Sequence, residues 1–278
     1  MKKTIRGILP LLFLSAMMAV PAWGQDEPEP EADPKPEAEP KPEAGTKPPP
    51  DAIKLLADIT KANADKDTGH LDLLLKSIRD LAESSKDQEV LDQIAAELIK
   101  SLKVAKGNFG TQRSIVEVMG ALRSKECLST LKKQAFRKKA KDVEEQALQA
   151  CALLSIGKYR DPKMIGALED ETKNRSLPVA NAAYEAFQQY GASPGKVRKQ
   201  VAEILMKRLD SEYPSAGKQG SGATSAEAQE RWKKLQETIV KSLQAVCRET
   251  TIIDIENWRE WWKENKRNAK LWKDKKAT

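Results

Sequence analysis

Between Glu144 and Leu168 the chain reads EEQALQACALLSIGKYRDPKMIGAL, an almost wholly apolar helix followed by a tight turn and a second helix. Ala147, Leu148, Ala150, Cys151, Ala152, Leu153, Leu154 and Ile156 leave little polar surface among them. A helix that is apolar nearly all round has to be covered on most of its sides, so this one must sit among other elements. After Gly157 the chain reaches Asp161-Pro162. There an aspartate can accept from the free N–H groups of a new helix, and proline has φ preset for its first turn. The helix that starts there carries Met164, Ile165 and Leu168 as a narrow apolar stripe, which predicts that it is half exposed.

The same layout recurs on both sides. In SIVEVMGALRSKECLSTL, residues 114–131, Gly120 answers Gly157, Ser124 answers Asp161, Leu128 answers Ile165 and Leu131 answers Leu168, at an offset of 37 residues. Downstream, in PVANAAYEAFQQYGASPGKVRKQVAEIL, Phe187 answers Ile156 and Ser193-Pro194 stands where Asp161-Pro162 stood. A period of about 30 to 40 residues with two helices per unit marks a stacked helical array. The pattern resembles HEAT repeats, especially the short kind found in many secreted bacterial proteins, over residues 52–265 when the weaker flanking units are counted. The resemblance implies a right-handed α-solenoid of roughly five helix pairs, with the second helices lining a concave, partner-binding surface. One departure stands out. Many HEAT units place an Arg soon after the apolar start of the first helix, where it pairs with an Asp of the neighbouring turn. Gln112, Gln149 and Ala180 occupy those positions here, so the ladder is absent and stacking is expected to rely on apolar packing.

Composition fits one such array: 278 residues, 32% charged and 5% aromatic, with no alternating strand-like run, so the class is all-α. Residues 1–24 have the layout of a secretory signal peptide, with Lys2, Lys3 and Arg6, an apolar run from Ile8 to Val20, and Ala22-Trp23-Gly24 as a cleavage site. The protein is therefore expected to be exported, to a periplasm or beyond the cell. An uncleaved anchor is the other reading, and it alone would bring membrane contact; the run is short for a span and is broken by Pro10 and Pro21. Residues 25–50 hold nine of the fifteen prolines, alternating with Glu, Ala and Lys. They read as a disordered spacer that could reach on the order of 80 Å. The repeat domain follows at residues 51–266 and a basic tail at 267–278. Without the signal segment, 45 basic residues face 41 acidic ones, and the spacer's balance of −5 leaves +9 for everything from Asp51 onward.

Within the domain, Ile53, Leu56 and Ile59 mark a first helix, Leu71, Leu74, Leu75 and Ile78 a second, and Leu91, Ile94, Ala95, Leu98 and Ile99 a third. Gly107-Asn108-Phe109-Gly110 breaks the chain before the clear repeats. SAGKQGSGATS, residues 215–225, reads as a flexible loop, and Ala228, Trp232, Leu235, Ile239, Leu243 and Val246 mark a long closing helix.

No residue pattern predicts catalysis, a cofactor or a metal. Cys127, Cys151 and Cys247 are odd in number, widely spaced and set in apolar helices, so they read as small buried hydrophobes, with one disulfide as the alternative in an exported chain. His70 is the only histidine and lies at a helix start. Glu144-Glu145 and Glu169-Asp170-Glu171 are adjacent in sequence, and neighbours on a helix point about 100° apart, so they do not converge on one substrate.

Charge is the informative signal. Arg123, Lys125, Lys132, Lys133, Arg137, Lys138, Lys139 and Lys141 stand against a single acid, Glu126, mostly on the second helix of a unit. Lys196, Arg198, Lys199, Lys207 and Arg208 fall on the corresponding helix two units on. Stacking would set both along one electropositive groove that receives an acidic protein partner. An anionic polymer such as wall polysaccharide or extracellular nucleic acid is the alternative, with a structural subunit of an envelope complex as a third. Export argues against a genomic nucleic-acid ligand.

The other cluster is Trp258, Trp261 and Trp262 in ENWREWWKEN. On a helix they share one side, and three indoles bring about 450 to 750 Å² of mostly apolar surface, more than a soluble monomer leaves wet. A structural cap packed near Leu243 and Val246 is expected, with an aromatic platform for glycans or peptides as the functional alternative. A W-x-x-W-W segment after the last unit is similar to what secreted bacterial HEAT-repeat proteins show. Beyond it, residues 266–276 read as a frayed basic tail.

Overall fold

The computed structural model describes residues 50–84, 87–138, 140–213 and 222–274. The leader, the spacer up to residue 49, Lys139 and most of the 215–225 loop lie outside them. All regular structure among the described residues is helical, in eleven α-helices and two short 3-10 turns. The helices are α1 (Pro50–Asp65), α2 (Thr68–Ser84), α3 (Gln88–Val104), α4 (Phe109–Leu122), α5 (Lys125–Ala135), α6 (Val143–Tyr159), α7 (Ile165–Thr172), α8 (Leu177–Gln188), α9 (Gly195–Glu212), α10 (Gly222–Cys247) and α11 (Ile255–Asn265). The chain is all-α, and no described helix is long and apolar enough to cross a membrane.

Short polar side chains set where the helices begin. Asp87, Asn108, Ser124, Asp142, Asp161 and Asp254 each stand before a helical segment and accept from one or two of its first free N–H groups. Asp161 does so together with Pro162, as the Asp-Pro pair predicted. Arg123 and Arg160 stop α4 and α6 in the left-handed conformation, at φ 52° and 53°, and Arg248 does the same after α10 at φ 58°. Glycine usually takes such positions because a Cβ is strained there.

The helices pack by skipping one. α2, α4, α6, α8 and α10 touch in that order, α1 touches α3 and α3 touches α5, and α5, α7 and α9 lie against α6, α8 and α10 respectively. Along the first series the contact is as close as backbone allows. A Cβ added at Gly120 would come within 2.6 Å of Ser155 Cβ on α6. One at Gly157 would come within 2.8 Å of the Ala186 backbone on α8, and one at Gly191 within 2.5 Å of the Ala245 carbonyl oxygen on α10. Around these contacts Ile115, Met119, Leu153, Ile156, Phe187 and Leu243 are fully buried. Each such side chain contributes about 1.5–3 kcal/mol relative to leaving it in water.

Polar bonds knit the same series together, which corrects the expectation of apolar packing alone. The two glutamines at the ladder positions reach back to cap the preceding helices. Gln112 Nε2 donates to Ala105 O after α3 and Gln149 Nε2 to Ala135 O in α5, both at 2.9 Å. Tyr159 Oη lies 3.0 Å from both Met119 O and Ser124 O, and Tyr190 Oη donates to Asp161 O at 2.9 Å. Each hydroxyl ties a helix of one pair to the turn of the pair before it. Met119 O and Ala135 O lie in the last turns of α4 and α5, where carbonyls lack an intrahelical partner, so the bonds from Tyr159 and Gln149 satisfy groups that burial would otherwise leave unpaired; Ala105 O, Ser124 O and Asp161 O each also accept a backbone N–H.

The C-terminal end differs from expectation in its tail. Trp258 is fully buried and meets Trp261 edge-on at 5.5 Å, and α11 packs on α9, with Arg259 Nε 2.8 Å from Asp210 Oδ1. The tail is ordered as far as Asp274, folded back over the start of α9. Trp272 meets Trp262 edge-on and donates to Asn265 O, and Asp274 Oδ1 accepts from Gly195 N at 2.6 Å. Arg198, fully buried, donates to Val246 O and Leu271 O at 3.1 Å and sits over the Trp272 ring. The sequence periodicity had no signal for this because the contacts join residues 73 to 79 positions apart.

Two glycines give predictions of opposite sign. Gly157→Ala forces a methyl against the backbone of α8, so it should cost about 1–3 kcal/mol and lower Tm by several degrees. Gly166, on exposed α7 with open space around its Cβ position, should gain up to about 1 kcal/mol as Ala. Thermal melts of both variants beside the parent check the pair.

Candidate basic groove

α3 and α5 lie side by side and both end near the start of α6, which leaves a groove of about 880 Å³ between them. Its apolar lining comes from Ile99, Leu102, Phe109 and Leu148, and its charged lining from Lys103, Lys106, Lys133, Arg137 and Glu145. Glu145 is already engaged. Its Oε2 accepts from Lys141 N at 2.7 Å and lies 3.8 Å from Arg137 Nη1. Arg137 also donates to Gln134. Lys103, Lys106 and Lys133 form no ion pair among the described residues, so the groove carries net positive charge.

These cations have a structural reason to be where they are. Lys103 lies in the last turn of α3, and Lys132 and Lys133 lie in the last turn of α5. A helix C-terminus carries partial negative charge that a cation offsets, by about 0.3–1 kcal/mol at exposed sites. Two C-termini opening on the same side gather the cations; Gln112 and Gln149, by capping the terminal carbonyls, leave the lysine ammonium groups free for solvent or a ligand.

Of the residues that sequence reading singled out, Lys133 and Arg137 line this groove. Lys132 is half-buried on the same helix, and Lys138 is exposed just beyond Arg137. Arg123 and Lys125 are exposed at the other end of α5, about 12 Å along the axis from Lys133. Lys196 and Lys199 are on the first turns of α9, with Lys199 Nζ 3.9 Å from Glu203. α9 packs on α10 and α11, and α7, which would have to link it to α5, packs on α8. Lys196 and Lys199 are not among the residues that line the α3–α5 groove.

Arg198 and Arg208 also fall out of the basic face. Arg198 is buried at the C-terminal end, where burial, with Arg248 nearby, holds its guanidinium below the ordinary arginine range. Arg208 pairs with Glu212 at 2.5 Å, and Arg231 binds the same carboxylate while donating to Thr172 O and Asn174 O at the end of α7. Sequence reading missed Lys103 and Lys106; their signal was their position in and just after a helix's last turn.

The remaining chemistry-bearing residues have structural surroundings. His70 N donates to Asp67 Oδ1 at the start of α2. Burial raises the Glu171 carboxyl above its usual range, against the lowering effect of its bond from Asn174. Among the described residues no three His, Cys, Asp or Glu side chains are grouped to hold a metal ion. The three cysteines are free and buried, and burial is the main cause pushing each thiol up to about 12. Compared with family models, curated proteins and solved structures, the chain matches none.

The thiols make stability depend on alkaline pH. Unfolded, a thiol ionises near pH 8.5; folded, it holds its proton to about pH 12. The unfolded state thus binds fewer protons in that window, and stability falls as pH rises through it. Tm should drop between pH 8 and about pH 10.5 by less in a C127A/C151A/C247A variant than in the parent. In the folded parent all three thiols should resist a thiol reagent at pH 8 and react once denatured.

Proposed function

We propose that this is an exported, non-catalytic binding scaffold, a right-handed HEAT-like α-solenoid closed at its C-terminal end by Trp258, Trp261 and Trp262, which holds an acidic protein partner in the α3–α5 groove. The single observation that carries the reading is the groove itself: three lysines without acid partners around an apolar floor. Such a site attracts carboxylates at long range and gives an apolar side chain somewhere to settle. The scaffold part is supported by the skip-one packing of helices and by the features that recur 37 residues apart, Gln112 with Gln149, Gly120 with Gly157 and Arg123 with Arg160. The leader-like residues 1–24 support export to the periplasm or the exterior.

An anionic polymer is the second reading, because the same free lysines would neutralise its charges. The two differ in salt dependence and selectivity. A polyanion bound by counterion release loses affinity steeply with salt and is displaced by heparin.

The test is a K103E/K106E/K133E/R137E variant compared with the parent in retention of proteins from the native envelope extract, with and without heparin. A discrete protein held at moderate salt by the parent, and at least tenfold less by the variant, is the expected outcome. Equal retention by both would sink the groove. Retention abolished by heparin, with no discrete protein, would move the assignment to a polyanion.

A further inference from the structure

The fold covers only part of the apolar surface of α6. α4, α5 and α8 pack on it and bury Leu148, Ala152, Leu153 and Ile156. Its remaining side carries Val143, Ala147, Ala150 and Leu154, spaced by four, three and four residues and so in one line. Val143 is 75% exposed, and Ala147, Ala150 and Leu154 are half-buried. Ala147, Ala150 and Leu154, but not Val143, floor a groove of about 700 Å³ that runs along α6 and is walled by residues of α4 and α8.

The charges on its walls are unevenly satisfied. Glu117 is paired with Arg79 at 2.9 Å, and Glu185 accepts from Asn181 at 2.9 Å. Arg113 on α4 and Lys158 at the end of α6 form no ion pair among the described residues. Glu185 forms none either, so Arg79, Arg113 and Lys158 against Glu117 and Glu185 leave the lining with a net charge of +1.

We propose that the α6 groove is a second docking site and receives an amphipathic α-helix of a partner protein, apolar on one stripe and acidic along its flanks. This rests on the scaffold reading above but uses a different face. The floor selects a helix because it is straight, parallel to α6 and paved with small side chains, which lets two helix axes approach to about 8 Å. From Ala147 to Lys158 it is about 17 Å long, or roughly three turns. The charges select acidic flanks, with carboxylates set against Arg113 and Lys158. The recognition mode is a helix laid in a groove and read at i, i+3, i+4 and i+7.

The probe is a displayed library of helix-forming 16-residue peptides with randomised surface positions, panned on the full chain. Enriched peptides should share an apolar i, i+3/i+4, i+7 stripe flanked by Glu or Asp. They should bind at least tenfold more weakly to A150E and to R113E/K158E, and unchanged to K133E/R137E. All three changes are at partly or fully exposed positions, so thermal melts close to the parent's should show that they fold. No enrichment over carrier alone overturns the proposal, as does enrichment of peptides without helical periodicity. Binding lost in K133E/R137E but kept in R113E/K158E overturns it too, while leaving the α3–α5 groove standing.

Discussion

The structure depends on how closely α4, α6, α8 and α10 approach one another. Gly120, Gly157 and Gly191 remove the Cβ at the three crossings, and Ser155, Ala186 and Ala245 present small groups in return. Everything else in the series follows from that spacing. Ser155 Oγ can reach Val116 O at 3.0 Å across the first crossing, and the tyrosines can reach the turn of the preceding pair. The larger apolar side chains are displaced to either side of each crossing, where they form one continuous core from Ala52 to Trp258.

Close packing of helices creates a second requirement, because helix ends brought into the interior carry carbonyls that need donors. The chain meets it with uncharged side chains at two levels, Gln112 and Gln149, and with arginine at the last two. Arg231 serves the end of α7, and Arg198 serves Val246 at the end of α10. A buried arginine without a carboxylate in contact would ordinarily be costly. Here a helix C-terminus, a second carbonyl and an indole face surround it, each of which favours a cation. The folded-back tail supplies two of those three, which accounts for its order.

Surface charge follows from the same architecture. The helix ends that gather on one side draw Lys103, Lys106, Lys132 and Lys133 to them, so a basic groove arises at no cost to folding. The apolar floor along α6 is surface of that helix that internal packing does not use. One groove is thus strongly basic and the other largely apolar.

The sequence by itself determined the helices. Apolar spacing placed the ones expected from it, short polar caps placed their starts, and the 37-residue offset aligned Gly120 with Gly157 and Ser124 with Asp161, because all of these are governed by neighbours within a few residues. Sequence also exposed the excess hydrophobicity of α6 and the burial of the cysteines. Only the tertiary structure decided which cations share a groove and which arginines are interior. It alone decided that glutamines replace the missing arginine ladder, and that the tail closes over α9. Those outcomes rest on contacts between residues far apart in the chain, where helical periodicity carries no information about which neighbour a side chain will meet.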